Sequence, residues 1–110
     1  MGFKVSIRQG IVALAGASIG TYFNQNIIRC HKLRAGMPAY VSLISSRKFR
    51  IELQPKRKTL TISQTVAKLS KDRLGMIIHR DIARALQLKA GMGLLISSPD
   101  DNTMVVEVEQ

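Results

Sequence analysis

Hydrophobic and polar positions alternate with a period of two through "KVSIRQGIVAL" (4–14), and "TLTISQTVAKL" (59–69) does the same. Both stretches are rich in Val, Ile and Thr, the pattern of a half-buried strand. Turn-like "AGAS" (15–18) and "SKDR" (70–73) follow, and then the short apolar runs "IGTYF" (19–23) and "LGMII" (74–78). These suit a second strand, with Gly20 and Gly75 where a strand bends or another backbone passes close. The period then changes. In "NQNIIRCHKL" (24–33) and "HRDIARALQL" (79–88), Ile27, Ile28 and His31, and Ile82, Ala83 and Leu86, share one helical face. Asn24 or Asn26, and Asp81, are residue types that cap a helix start. Gly36 and Gly91 are placed to take the left-handed turn beyond its end, with Arg34 or Lys89 near the last carbonyls. Finally "AYVSLISSRKFRIELQ" (39–54) and "LLISSPDDNTMVVEVEQ" (94–110) read strand, turn, strand, with "SSPDDN" the stronger turn signal.

The same series of elements is thus written twice. A gapless shift of 55 residues, half of 110, aligns "LRAGM" (33–37) with "LKAGM" (88–92) and gives twelve identities, among them Gln9 with Gln64, Gly20 with Gly75 and Arg29 with Arg84. Ordinary residue usage would give roughly three or four by chance. Each half reads β-β-α-β-β. Domains below about 60 residues bury too little surface to be comfortable alone. The chain is therefore expected to form one domain over 1–110, built of repeats 1–55 and 56–110, with a linker at about 54–58 around Pro55, Lys56, Arg57 and Lys58. The repeat also answers a competing signal. "MGFKVSIRQGIVALAGASIGTYF" imitates a secretory signal peptide, but its counterpart "TVAKLSKDRLG" is charged, so both stretches are expected to fill one structural slot. No apolar run approaches the roughly 18 residues of a membrane span.

Charge changes the picture next. Seventeen Lys and Arg against seven Asp and Glu give a formal net charge of +10, which suits a polyanionic partner such as nucleic acid or an acidic membrane face. The lone Cys30 cannot form an intramolecular disulfide and reads as a small half-buried thiol in a reducing compartment. His31 and His79 occupy different slots of the repeat and lack Cys, Asp or Glu at metal-ligand spacing, so they read as structural. "GASIG" lacks the Lys of a phosphate-binding loop. Glu52 and Glu107, on edge-like strands, read as solvated or salt-bridged carboxylates. The expectation is a non-enzyme with no metal and no cofactor.

At these residues a family resemblance emerges. "VAKLSKDRLGMIIHRDIARALQLKAGMGLLISSPDDNTMVVEV" resembles an AbrB/MazE (SpoVT-AbrB) domain, and "AGASIGTYFNQNIIRCHKLRAGMPAYVSL" is similar to the MazE branch. The chain departs from the family pattern where Asn24 and His79 replace its helix-leading Pro, Lys32 and Gln87 replace the Gly of "LGL", and Met37 and Met92 replace the Asp of "GD". The resemblance implies a mainly β swapped-hairpin barrel with two short helices, here a pseudo-dimer in a single chain, with higher oligomers open. It further implies a transcriptional regulator that meets double-stranded DNA through its first strands, their loop and the helix starts. Carried onto this chain, that surface is Lys68, Lys71, Arg73, Arg80 and Arg84 in the second repeat and Lys4, Arg8 and Arg29 in the first. Few aromatics interleave with this charge, which favours duplex over single-strand binding. A second cluster, Arg47, Lys48 and Arg50, exists in the first hairpin only. It could extend a DNA track or dock a protein, as in the other reading, an antitoxin or viral inhibitor of a host protein. The setting expected is the cytoplasm, nucleoid-associated or that of a host cell.

Overall fold

A computed structural model of the chain describes residues 3–14, 16, 18–53, 62–70 and 73–109, with side chains for all of these but 3–6 and 70. The first repeat folds as β1 (Phe3–Ala13), β2 (Ile19–Tyr22), α1 (Gln25–His31), β3 (Pro38–Ser45) and β4 (Lys48–Glu52). The second gives β5 (Ile62–Thr65), β6 (Ala67–Ser70), β7 (Arg73–Ile77), α2 (Arg80–Leu86), β8 (Gly93–Asp100) and β9 (Thr103–Val108). The two helices begin at 25 and 80, and β3 and β8 at 38 and 93, so both pairs keep the 55-residue offset. One departure from the expected β-β-α-β-β plan is that the first strand of the second repeat is broken at Val66 into β5 and β6. The expected linker lies outside the described residues.

Nine antiparallel strands form one sheet in the order β5-β3-β4-β9-β8-β1-β2-β7-β6. Its two ends, β5 and β6, are separated in sequence by Val66 alone, so the sheet curls nearly into a closed barrel. Partners alternate between repeats. β1 pairs with β8, and β5 with β3, so the first strand of each repeat lies against the third strand of the other. β2 pairs with β7 and β4 with β9. Thr21 is directly opposite Met76, and Arg50 directly opposite Val105. Both pairs are repeat-related, so a pseudo-twofold axis passes between each. Glu52 and Glu107 therefore lie on interior strands rather than on edges, because β4 and β9 pair with each other across the repeats as well as with β3 and β8.

The core obeys the same symmetry. Ile11 and Val66, Phe23 and Ile78, Ile27 and Ile82, Leu33 and Leu88, and Ala39 and Leu94 are buried as repeat-related pairs. So are Val41 and Ile96, Phe49 and Met104, Ile51 and Val106, and Leu53 and Val108. Neither β sheet face nor helix stripe of one repeat could bury this set alone; interleaving supplies the other half.

"LRAGM" and "LKAGM" do a different task from the one expected. Each helix ends one residue before Leu33 or Leu88, at Lys32 (φ 54°) or Gln87 (φ 55°), both left-handed. Leu33 N–H donates to Ile28 O at 3.0 Å, Leu88 N–H donates to Ala83 O at 2.8 Å, and both leucines are buried. A six-residue closing bond with an apolar residue behind it offsets the strain of a non-glycine left-handed residue. Gly36 (φ 92°) and Gly91 (φ 95°) act four residues later, in turns where Met37 N–H reaches Arg34 O at 3.3 Å and Met92 N–H reaches Lys89 O at 3.2 Å. Each methionine sulfur also accepts from the first residue of its turn, at 3.2 Å in both copies. The turns then dock across the repeat boundary. Gly36 N–H bonds Val66 O and Val66 N–H bonds Met37 O, both at 2.8 Å, while Gly91 N–H bonds Ile11 O at 2.8 Å and Ile11 N–H bonds Met92 O at 2.9 Å. Ile11 thus lies inside the signal-like run, deep in the core and hydrogen-bonded on both sides.

Candidate nucleic-acid interface

Each helix start is held by a glutamine that the repeat preserves. Gln9 Oε1 accepts from Asn24 N–H at 2.7 Å, and its amide donates to Thr21 Oγ1 at 3.1 Å and to Tyr22 O. Gln64 repeats this less tightly, accepting from His79 N–H at 3.4 Å and donating to Ile77 O. Both glutamines thus tie a first strand to the end of a second strand and to the cap residue of the helix. Identity across the repeat was the one sequence signal for this role.

The caps are Asn24, whose side chain accepts from Asn26 N–H at 2.8 Å, and His79, whose Nδ1 accepts from Asp81 N–H at 3.1 Å. Asn26 and Asp81, two of the expected cap candidates, instead sit inside the first turns, because the glutamine anchors fix the residue two positions earlier as the boundary. Asp81 Oδ2 is also 3.8 Å from His79 Nδ1. A ring nitrogen that accepts a backbone N–H carries no proton, so the cap, at the shorter distance, defines this contact rather than an ion pair.

The expected DNA residues separate into three groups. Arg29 and Arg84 are exposed on α1 and α2 at repeat-equivalent positions, and Arg80 is exposed in the first turn of α2. Lys68 is exposed on β6, and Arg73 begins β7, with its guanidinium 4.4 Å from the centre of the Tyr22 ring. This cation–π contact holds Arg73 over the first repeat, across the β2–β7 pairing. Arg8 is exposed but engaged: its Nε lies 2.8 Å from Glu109 Oε2, a carboxylate oxygen with no other hydrogen-bond partner among the described residues. Lys4 is in β1, and its side chain, like the whole of Lys71, lies outside what is described.

The same region carries a groove of about 1140 Å³ between α2, the β5–β6 segment and the end of β7. Arg80, Arg84, Lys89 and His79 line it beside Ile19, Ile77, Ile78, Ala83 and Leu88. Sequence reading named Arg80 and Arg84 but gave no sign of the groove, which forms where the fold sets α2 beside the β5–β6 segment.

At the opposite end of the pseudo-axis, Arg47, Lys48 and Arg50 are exposed in the β3–β4 hairpin. Lys48 Nζ is 3.4 Å from Glu107 Oε2, and Arg50 is 3.9 Å from Glu52 Oε1, so both glutamates are salt-bridged. Leu43 and Ile44, 50% and 42% exposed, stand beside them.

His31 is buried, with Nδ1 2.7 Å from Asp101 O and Nε2 against Ser98 Oγ. A carbonyl acceptor at Nδ1 requires N–H there, leaving Nε2 to accept from the serine hydroxyl. This orientation would activate a serine nucleophile, but Ser98 is 1% exposed and no substrate could meet it. Its role is to satisfy polar groups where the second repeat has Leu86. Cys30 is half-buried, and among the described residues no three of His, Cys, Asp and Glu gather as metal ligands. Neither helix among the described residues is long and apolar enough to cross a membrane. Compared with known proteins, the chain matches no family model, no curated protein and no solved structure.

Proposed function

We propose that the protein is a duplex-DNA-binding transcriptional regulator of AbrB/MazE type, a single-chain counterpart of a swapped-hairpin dimer, acting without catalysis, metal or cofactor. The observation that carries this reading is Arg29 and Arg84: identical, exposed and related by the pseudo-twofold axis. Duplex DNA has its own local twofold symmetry, so a dyad-related pair of guanidiniums can meet phosphates or guanine edges on both strands. The crossed pairing of β1 with β8 and β5 with β3 supports the swapped-hairpin comparison. Arg80, Arg73 and Lys68 would enlarge the surface on the second repeat. Arg8, with its charge shared with Glu109, would add less in the first. The resulting contact is lopsided, with the stronger half on the second repeat.

A salt series against random and genomic duplexes tests this. With about four phosphates neutralised, affinity falls on the order of a hundredfold between 50 and 200 mM salt. A flat salt response, or no duplex binding near 0.1 M salt, defeats the reading.

A second reading, a module that grips another protein, is favoured by the half-exposed Leu43 and Ile44 beside Arg47 and Lys48. Apolar side chains rimmed by charge mark protein contacts more than phosphate contacts. Under the first reading Arg73→Ala with Arg84→Ala weakens duplex binding more than Arg47→Ala with Lys48→Ala. The opposite order moves the site to the hairpin end.

A further inference from the structure

We propose that the groove beside α2 is a binding site for a small amphipathic anion, a carboxylate or similar acid carried on an apolar chain or ring. This goes beyond duplex binding and does not depend on it. The floor of the groove is apolar: Ile19, Ile78, Ala83 and Leu88 line it together with Ile77, which is 44% exposed although it sits in a strand. Its rim carries Arg80, Arg84 and Lys89, and among the described residues no carboxylate lines it. A neutral apolar ligand would make no use of the three cations, and a cationic one would be repelled. An acid on an apolar body satisfies floor and rim together, and the low-polarity floor strengthens the charge contact. The volume, about 1140 Å³, is slightly above that of ordinary small-molecule clefts, which reach about 1,000 Å³.

The repeat-related positions around the groove differ in bulk. At the positions equivalent to Ile77, Ser18 and Ala83, the other half of the molecule carries Tyr22, Arg73 and Ile28, each a larger side chain. There the Arg73 guanidinium lies on the Tyr22 ring. The two halves match in their cap and turn angles, and they differ at these three positions in side-chain bulk.

Decanoate is the probe, titrated into the full chain without DNA and followed by amide chemical shifts and calorimetry. Saturable binding is expected, with the largest shifts at Ile77, Ala83 and Arg84, and decanol should bind at least tenfold more weakly. Arg80→Ala with Arg84→Ala, both at exposed positions, should weaken decanoate tenfold or more. The triple change Ser18→Arg, Ile77→Tyr, Ala83→Ile, which copies the other half, should abolish binding. Non-saturable binding, equal affinity for decanol, or full affinity in the arginine double variant overturns the proposal. So does a concentration-dependent dimer that the triple change dissociates, since a second copy would then be the occupant.

Discussion

Gly75 shows how closely the two repeats approach at single residues. A Cβ there would lie 2.4 Å from Thr21 O and 2.7 Å from Leu69 Cδ1, whereas one at Gly10 would meet nothing within 4 Å. Gly75→Ala should therefore cost about 2–3 kcal/mol in a urea melt and Gly10→Ala should cost almost nothing. The left-handed caps behave in the opposite sense. Gln87 holds φ 55° with a side chain, so Gln87→Gly should raise stability by about 1 kcal/mol, read from the shift in unfolding midpoint. Of the two roles the sequence offered for Gly20 and Gly75, a strand bend or a close backbone approach, the structure shows the close approach. Sequence alone assigned the helix stop to Gly36 and Gly91 because glycine is the usual left-handed residue. A residue with a side chain won that position because the next one, Leu33 or Leu88, must enter the core.

At the scale of elements, the joints between second strands and helices depend on the two glutamines. Gln9 is buried and bonded to Thr21, Tyr22 and Asn24, while Gln64 is half-buried and its bond to His79 is long, at 3.4 Å. Gln9→Ala should cost roughly 1–3 kcal/mol by denaturant unfolding, and Gln64→Ala less than about 1 kcal/mol. Where α1 meets the β8–β9 hairpin, His31 stands at the position of Leu86 yet serves polar partners. His31→Leu should therefore destabilise by about 1–3 kcal/mol although leucine occupies the equivalent slot, since Ser98 Oγ and Asp101 O would lose an acceptor and a donor. Periodicity predicted the helical face that includes His31. It could not supply the partners, which come from residues 67 and 70 positions away.

For the whole molecule, the crossed strand pairing makes the halves interdependent. Peptides 1–55 and 56–110 should each be largely unfolded by circular dichroism and should regain β structure when mixed, because every core layer takes side chains from both. The intact chain should melt in a single transition, the same by circular dichroism and by fluorescence of its tyrosines. Two separated transitions would mean that the repeats fold as independent units. At this scale the basic surface also becomes asymmetric, with Arg8 held by Glu109, Arg73 held over Tyr22, and Arg80 and Arg84 left at the groove.

The sequence by itself determined the repeat, the order of elements in each half apart from the break at Val66, and the buried face of each helix, because period and residue type are local properties that recur whenever the local structure recurs. The two copies checked one another, so even the signal-like run could be assigned to a strand. Tertiary structure decided which strands pair, which residues become helix boundaries and where the groove opens. These depend on contacts between residues about half the chain apart, and neither copy contains the information alone. Ile77 reads as an ordinary strand isoleucine, and only the fold brings Ser18 and Ala83 beside it to line the groove.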